Sequence, residues 1–186
     1  MKVPYANFKT REGDNDAVGG CTFIGGTWKD VDTTEIFDKK RVVVFALPGA
    51  FTPTCSSQQL PGYEEMYDEI KAQGVDEIYC LSVNDAFVMN AWFKDTNVKK
   101  VKAIGDGEGV FTQGMNMLVN KPGQGFGMRS WRYSMIVDDG VITHFNEEPG
   151  RNDFSADDDP YEVSDPDTML KQLGSKTFMQ DITNNN

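Results

Sequence analysis

Apolar positions fall along the chain in short blocks whose period changes from block to block. Arg41-Val42-Val43-Val44-Phe45-Ala46-Leu47 is an almost unbroken apolar, β-branched run. Such a run predicts a strand buried on both faces, as in the middle of a sheet covered by helices. Pro48 and Gly49 end it. Leu60, Tyr63, Met66, Tyr67 and Ile70 then recur at helical spacing, and Gly74 stands where a helix C-terminus takes a left-handed residue. Pro61 lies inside that pattern and predicts a kink after about the first turn. Glu77-Ile78-Tyr79-Cys80-Leu81-Ser82-Val83 reads as a second buried strand, and Asn84 or Asp85 then caps a helix carrying Phe87, Ala91 and Trp92.

A third strand reads near Val101-Lys102-Ala103-Ile104 and ends at the turn Gly105-Asp106-Gly107. Residues 131–137 and 141–146 flank Asp138-Asp139-Gly140, a strong hairpin signal. The last helix is expected to open at the capping box Ser164-x-x-Asp167, to show Met169, Leu170 and Leu173 on one face, and to stop at Gly174. Two β-α-β units, a hairpin and a terminal helix predict an α/β chain with a thioredoxin-like fold, a central mixed sheet flanked by helices. Residues 13–26, rich in Gly, Asp and Asn, read as an N-terminal hairpin insertion on the edge, and Asp157-Asp158-Asp159 as a solvated loop. A single domain over residues 1–174 is expected, with residues 175–186 a disordered tail. The 186 residues suffice for one core.

Charge narrows the partners. Lys and Arg number 18 against 29 Asp and Glu, a net charge of −11. A surface this acidic repels phosphate backbones and anionic lipid, which argues against nucleic acid and membrane partners. No apolar run is long enough to span a bilayer, and residues 1–8 contain no secretory apolar stretch, so a cytoplasmic address is expected. Cys21, Cys55 and Cys80 are odd in number and lack C-x-x-C spacing, unlike a secreted disulfide framework or a thioredoxin-type dithiol. With His144 the one histidine, no zinc-ligand spacing is found, and no metal or cofactor is expected. Scattered cysteines are most simply small buried hydrophobes, the reading that suits Cys21 and Cys80.

Cys55 differs because of its place. It follows the first buried strand at its carboxyl end and opens a helix, where open α/β sheets bind ligands. There a thiolate meets unpaired N–H groups and the positive end of the helix dipole. A free thiol is only about 3% ionised at pH 7, and making it mostly anionic takes about 3.4 kcal/mol. A helix terminus supplies roughly 0.3–1 kcal/mol, or about 2 when partly buried, so a fixed cation is needed as well.

Pro48-x-x-x-Thr52-x-x-Cys55 resembles the active-site pattern of the peroxiredoxins. The run Leu47-Pro48-Gly49-Ala50-Phe51-Thr52-Pro53-Thr54-Cys55, with Leu60-Pro61 after it, is similar to the type-5 branch. So are Ser82-Val83-Asn84-Asp85-Ala86-Phe87-Val88 and Arg132-Tyr133-Ser134-Met135-Ile136-Val137-Asp138-Asp139-Gly140. Gly125-Phe126-Gly127-x-Arg129-Ser130-Trp131-Arg132 and the segment from Val163-Ser164-Asp165 to Leu170 resemble the bacterial hybrid forms. The resemblance covers residues 31–173. It implies a thiol peroxidase acting on hydrogen peroxide and alkyl hydroperoxides, with Cys55 as peroxidatic nucleophile that becomes a sulfenic acid. It further implies that the Thr52 hydroxyl binds peroxide and thiolate and that Arg132 supports thiolate and leaving oxygen. Pro48 would shield the sulfur, and the N–H groups of Thr54 and Cys55 would orient the substrate. Taken without the resemblance, Pro48 and Thr52 also suit a plain turn before a helix, Arg129 is the alternative cation, and Trp92, Phe126 and Trp131 are core or interface residues.

The chain departs from that branch in its recycling. Many relatives carry a resolving cysteine late in the chain, whereas no cysteine follows Cys80 here, and Gln59 stands where relatives often have a histidine. The fused glutaredoxin domain of the hybrid forms is not found either. A one-cysteine cycle follows, with Cys55 reduced by glutathione and a glutaredoxin, or by a thioredoxin. Cys80, mid-strand, remains a candidate resolving cysteine, and whether Cys21 can act as one is left open by the sequence. The resemblance also implies a homodimer paired near the active site. Two other functions compete: a cysteine hydrolase using Cys55 and His144, which lacks any matching signature, and a thiol redox sensor or relay using the same residues as the peroxidase.

Overall fold

The computed structural model of the chain describes residues 1–13, 26–153 and 159–183, with side chains as far as residue 174. The N-terminal strands β1 (Asn7–Glu12) and β2 (Thr27–Asp32) pair antiparallel, Asn7 opposite Asp32 and Glu12 opposite Thr27. They flank the insertion read over residues 13–26, which, with Cys21, lies outside the described residues except for its two ends. Helix α1 (Thr33–Phe37) follows, capped by Asp32, whose carboxylate accepts the N–H groups of Thr34 and Glu35.

The apolar run becomes β3 (Arg41–Ala46), the middle of a five-stranded sheet. Beyond it the chain enters a π-helical turn, Cys55–Gln59, then α2 (Leu60–Glu65) and α3 (Tyr67–Ala72). Pro61 sits in the first turn of α2, so what it marks is the passage from π to α winding. The helical pattern breaks instead at Met66, and Gly74 takes the left-handed conformation expected of it, φ 80°. Next come β4 (Glu77–Ser82), α4 (Ala86–Asp95) with Asp85 as its cap, β5 (Lys102–Gly105) and α5 (Val110–Gly114). A small hairpin, β6 (Leu118–Lys121) with β7 (Gly127–Ser130), precedes β8 (Tyr133–Asp138) and β9 (Val141–Glu147). The last element is α6 (Pro166–Thr183).

The sheet order is β5-β4-β3-β8-β9, with β3, β4 and β5 parallel and β8 antiparallel to both of its neighbours. This is the mixed sheet expected of a thioredoxin-like fold. Alternate residues of β3 divide the core: Val42, Val44 and Ala46 face α1 and α5, and Val43 and Phe45 face α2, α3, α4 and α6. On the second face Phe45 stacks on Tyr63 at 4.0 Å, beside Cys55, Cys80, Trp92 and Met169. Each such large apolar side chain contributes roughly 1.5–3 kcal/mol by leaving water. The β8–β9 turn has positive φ at Asp139 and Gly140, the type I′ geometry that Asp-Gly favours. The β1–β2 hairpin is held to α4 by Arg11, which lies 4.9 Å from the ring centroids of both Trp28 and Phe87.

Three expectations need correction. The strand anticipated from Trp131 begins at Tyr133, because Trp131 N–H donates to Met117 O at 2.7 Å and Arg132 O accepts from Glu148 N outside the sheet. Helix α6 is capped by Asp165, whose carboxylate accepts Thr168 N–H at 2.9 Å; Ser164 is instead engaged by Glu148. Gly174 does not stop α6, which runs on to Thr183; residues 184–186 lie outside the described part. Gly174 is in the ordinary right-handed range, and glycine in mid-helix costs only about 1 kcal/mol. Of Asp157-Asp158-Asp159, only Asp159 is described. Among the described residues no helix is long and apolar enough to cross a membrane.

Candidate active site

The end of β3 passes into a tight loop because Gly49 permits a close approach. A Cβ there would lie 2.5 Å from Arg129 Nη1. The loop is tied to the end of β4 through one acceptor: Asn84 Oδ1 takes Ala50 N–H at 3.0 Å and Ser82 Oγ–H at 2.6 Å. Thr52 then closes the turn, its hydroxyl donating to Gly49 O at 2.8 Å and its carbonyl accepting Ser56 N–H at 3.0 Å. Spent as a donor on Gly49, the Thr52 hydroxyl keeps its lone pairs to accept from a protonated peroxide oxygen.

Helical winding starts at Pro53, so Thr54 and Cys55 occupy the first turn, where N–H groups have no carbonyl behind them. At Cys55 the winding widens: Leu60 N–H bonds to Cys55 O, five residues back. Trp92 Nε1–H donates to Ser56 Oγ at 3.0 Å and pins this turn to α4. The Cys55 side chain is completely buried. Its polar neighbour is Arg132, whose Nη1 lies 3.6 Å from Sγ.

Arg132 itself is 1% exposed, in the link between β7 and β8. Nη1 also donates to Gln59 Oε1, one turn after Cys55, and Nη2 forms an ion pair with Asp159. Burial opposes the Arg132 charge, but Cys55 and Asp159 more than offset it and hold its pKa above the ordinary value. Nε–H has no hydrogen-bond partner among the described residues, which leaves one guanidinium donor for a ligand oxygen. Arg129, the alternative cation, is spent elsewhere: Nε donates to Phe126 O at 3.2 Å and Nη1 to Pro48 O at 3.3 Å. Burial lowers its pKa, against the pull of Cys55.

A cavity of about 250 Å³ opens beside this group, lined by Pro48, Thr52, Phe126, Trp131, Lys121 and Asp159 among others. It has an apolar wall and a charged rim beside a buried thiol, a cation and first-turn N–H groups. Such a set can lower the barrier for attack on an O–O bond, where negative charge passes to the leaving oxygen.

Of the residues read from the sequence, Pro48, Thr52, Thr54, Cys55 and Arg132 converge here. Cys80 does not join the rim. It is fully buried in β4, opposite Phe45 on one side and Ala103 on the other. Burial, and less strongly Cys55, push its thiol pKa well up. His144 lies on the edge strand β9, its Nδ1 3.4 Å from Thr143 Oγ1, and the side chain that meets Cys55 is Arg132. Gln59, Asn84, Glu148 and Asp159 were not singled out as site residues.

Residues 15–163 match the redoxin family. A peroxiredoxin of Rhizobium etli is 49% identical over 178 residues, 96% of this chain and 97% of that protein. The hybrid peroxiredoxin hyPrx5 of Haemophilus influenzae is 49% identical over 180 residues, 97% of this chain and 68% of that one. Among solved structures, the 1-Cys peroxiredoxin of Plasmodium falciparum superposes with a TM-score of 0.80 at 36% identity, covering 94% of this chain and 97% of that one.

Proposed function

The chain belongs to the redoxin family and is a peroxiredoxin, a thiol peroxidase; from that premise we propose a one-cysteine cycle centred on Cys55 and recycled by an external thiol. The Cys55 thiolate attacks one oxygen of hydrogen peroxide or an alkyl hydroperoxide. The O–O bond breaks, Cys55 becomes a sulfenic acid, and the departing oxygen takes a proton to leave as water or an alcohol. Arg132 acts at both ends of that displacement, steadying the thiolate and then the leaving oxygen, and Gln59 keeps the guanidinium on the sulfur side. The Thr52 hydroxyl accepts a hydrogen bond from the peroxide O–H, Pro48 screens the sulfur from water, and the first-turn N–H groups of Thr54 and Cys55 orient the substrate.

The observation that carries the one-cysteine reading is the position of Cys80. Strands β3 and β5 bond to β4 on both sides of it, and its side chain is buried in the core. The sulfenic acid therefore meets an outside thiol before it meets the other described cysteine. Glutathione gives a mixed disulfide and water, and a second thiol, from glutathione, a glutaredoxin or a thioredoxin, releases the Cys55 thiolate. This cycle suits the reducing cytoplasm. Exposed Phe51 and Met128, both close to the site, support pairing of two copies on this face. Steady-state peroxide consumption tests the cycle: turnover is expected with glutathione and glutaredoxin or with thioredoxin. Consumption that stops after one equivalent with every reductant would show a sensor instead.

A further inference from the structure

The stretch from residue 159 to 164 is held so as to bring a carboxylate to Arg132. Glu148, 1% exposed, accepts the N–H groups of Glu162, Val163 and Ser164 at 2.8 to 3.0 Å and the Ser164 hydroxyl at 2.7 Å. Four donors on one buried carboxylate fix this strap. Its other end lays the Tyr161 ring 5.8 Å from the Arg132 guanidinium and pairs Asp159 with Nη2. Asp159 keeps 40% of its side chain exposed and lines the same cavity as Pro48 and Thr52. It is the acidic group among the described cavity-lining residues.

We propose that Asp159 is a specificity-determining residue, whose carboxylate at the cavity mouth favours uncharged hydroperoxides over those carrying a negative group. The proposal rests on Arg132 being the cation at Cys55. Facing the cavity or the sulfur are Arg132, Arg129 and Lys121 as cations and the Cys55 thiolate and Asp159 as anions. Among these described groups three are cations and two are anions, so removing one anion shifts the balance. Lys121 donates to Asn152 Oδ1 at 2.9 Å and lies 4.9 Å from the Trp131 ring centroid, and Arg129 is bonded to two carbonyls. Arg132 meets the Asp159 carboxylate at the mouth, so an anionic substrate must share it with Asp159.

Cumene hydroperoxide and its ring-carboxylated analogue test this through the ratio of their kcat/KM values. Asp159→Asn should raise the anionic-to-neutral ratio about fivefold, the effect of one unit charge a few ångströms away at a wet surface. Asp159→Glu should restore the original ratio. In the unmodified protein the ratio should climb with added salt, which screens the repulsion, and in Asp159→Asn it should climb less, since only the net charge of the rest of the chain is then screened. An unchanged ratio, or an equal loss on both substrates, would overturn the proposal and leave Asp159 as structural support. Should the Asn variant fail to fold, the unmodified protein decides alone: a ratio flat or falling with salt overturns it. Absence of any Cys55-dependent turnover of cumene hydroperoxide would remove the premise and the proposal together.

Discussion

At the scale of single residues the chemistry divides between a sulfur, a cation and the groups that hold them. Cys55→Ser removes the proposed nucleophile and should bring peroxide consumption to background, while Cys80→Ser should keep most of it, because Cys80 is buried away from the cavity rim. Activity that survives in Cys55→Ser would refute the assignment. The cation is tested by a pair of changes. Arg132→Met takes away the charge 3.6 Å from Sγ and should slow peroxide attack by about a hundredfold or more. It should also move the alkylation rate–pH profile with iodoacetamide to higher pH. Arg129→Met, removing a guanidinium engaged by Phe126 and Pro48 carbonyls, should do far less. The reverse order would show that Arg129 is the working cation. Cys55, Thr52 and Pro48 were legible because they stand within eight positions of one another, and Arg132 because it precedes Tyr133-Ser134-Met135. Gln59 and Asp159 were not, since they meet Arg132 across 73 and 27 positions of chain, and no local pattern reports such a pairing.

Elements were legible in proportion to how much of their burial is local. β3 and β4 are continuous apolar runs because helices cover both faces, and such runs are visible in any window. The four-residue strands β6 and β7 carry a partly exposed, mixed pattern and a Pro-Gly connection, so nothing in their sequence distinguishes them from loop. Gly174 misled because a glycine read alone cannot tell a left-handed cap from a tolerated helical position. Between elements, one charged cluster has a testable pH signature. Glu77 of β4 accepts from Tyr67 of α3 at 2.8 Å and from its neighbour Ile78 N–H, and pairs with Lys102 of β5 at 2.5 Å. Burial works against its charge, but these three partners win and its pKa is held below 4.5. A carboxyl depressed on folding contributes stability above its unfolded pKa and loses it as pH falls through the folded value. Glu77→Gln should therefore cost on the order of 1 kcal/mol at pH 7, and the cost should shrink below about pH 4. Urea unfolding at both pH values checks this, and a cost independent of pH would show that the cluster acts by packing alone.

At the scale of the whole molecule, the sheet that places Cys55 at its carboxyl end also locks away the other described cysteine. A disulfide needs Cα atoms about 4.4–6.8 Å apart with the side chains turned together. Cys55 sits in a helical turn above the sheet, pinned through Ser56 to Trp92, while Cys80 is bonded into β4 between two neighbouring strands. Joining them requires loosening the turn and the middle of the sheet at once, which opens both the largest apolar cluster on that face and its backbone ladder. In the proposed cycle an outside thiol approaches through the cavity of about 250 Å³ beside Pro48 and Thr52, without opening the sheet. One equivalent of peroxide followed by glutathione should therefore give a mixed disulfide on Cys55, seen as a single glutathione adduct by intact mass and located by peptide mass spectrometry. Without added thiol, excess peroxide should carry Cys55 onward to the sulfinic acid, since Cys80, the other described thiol, is held within the sheet. A Cys55–Cys80 bridge as the main product, within one chain or between two, would overturn the one-cysteine cycle and show that the sheet opens during every turnover.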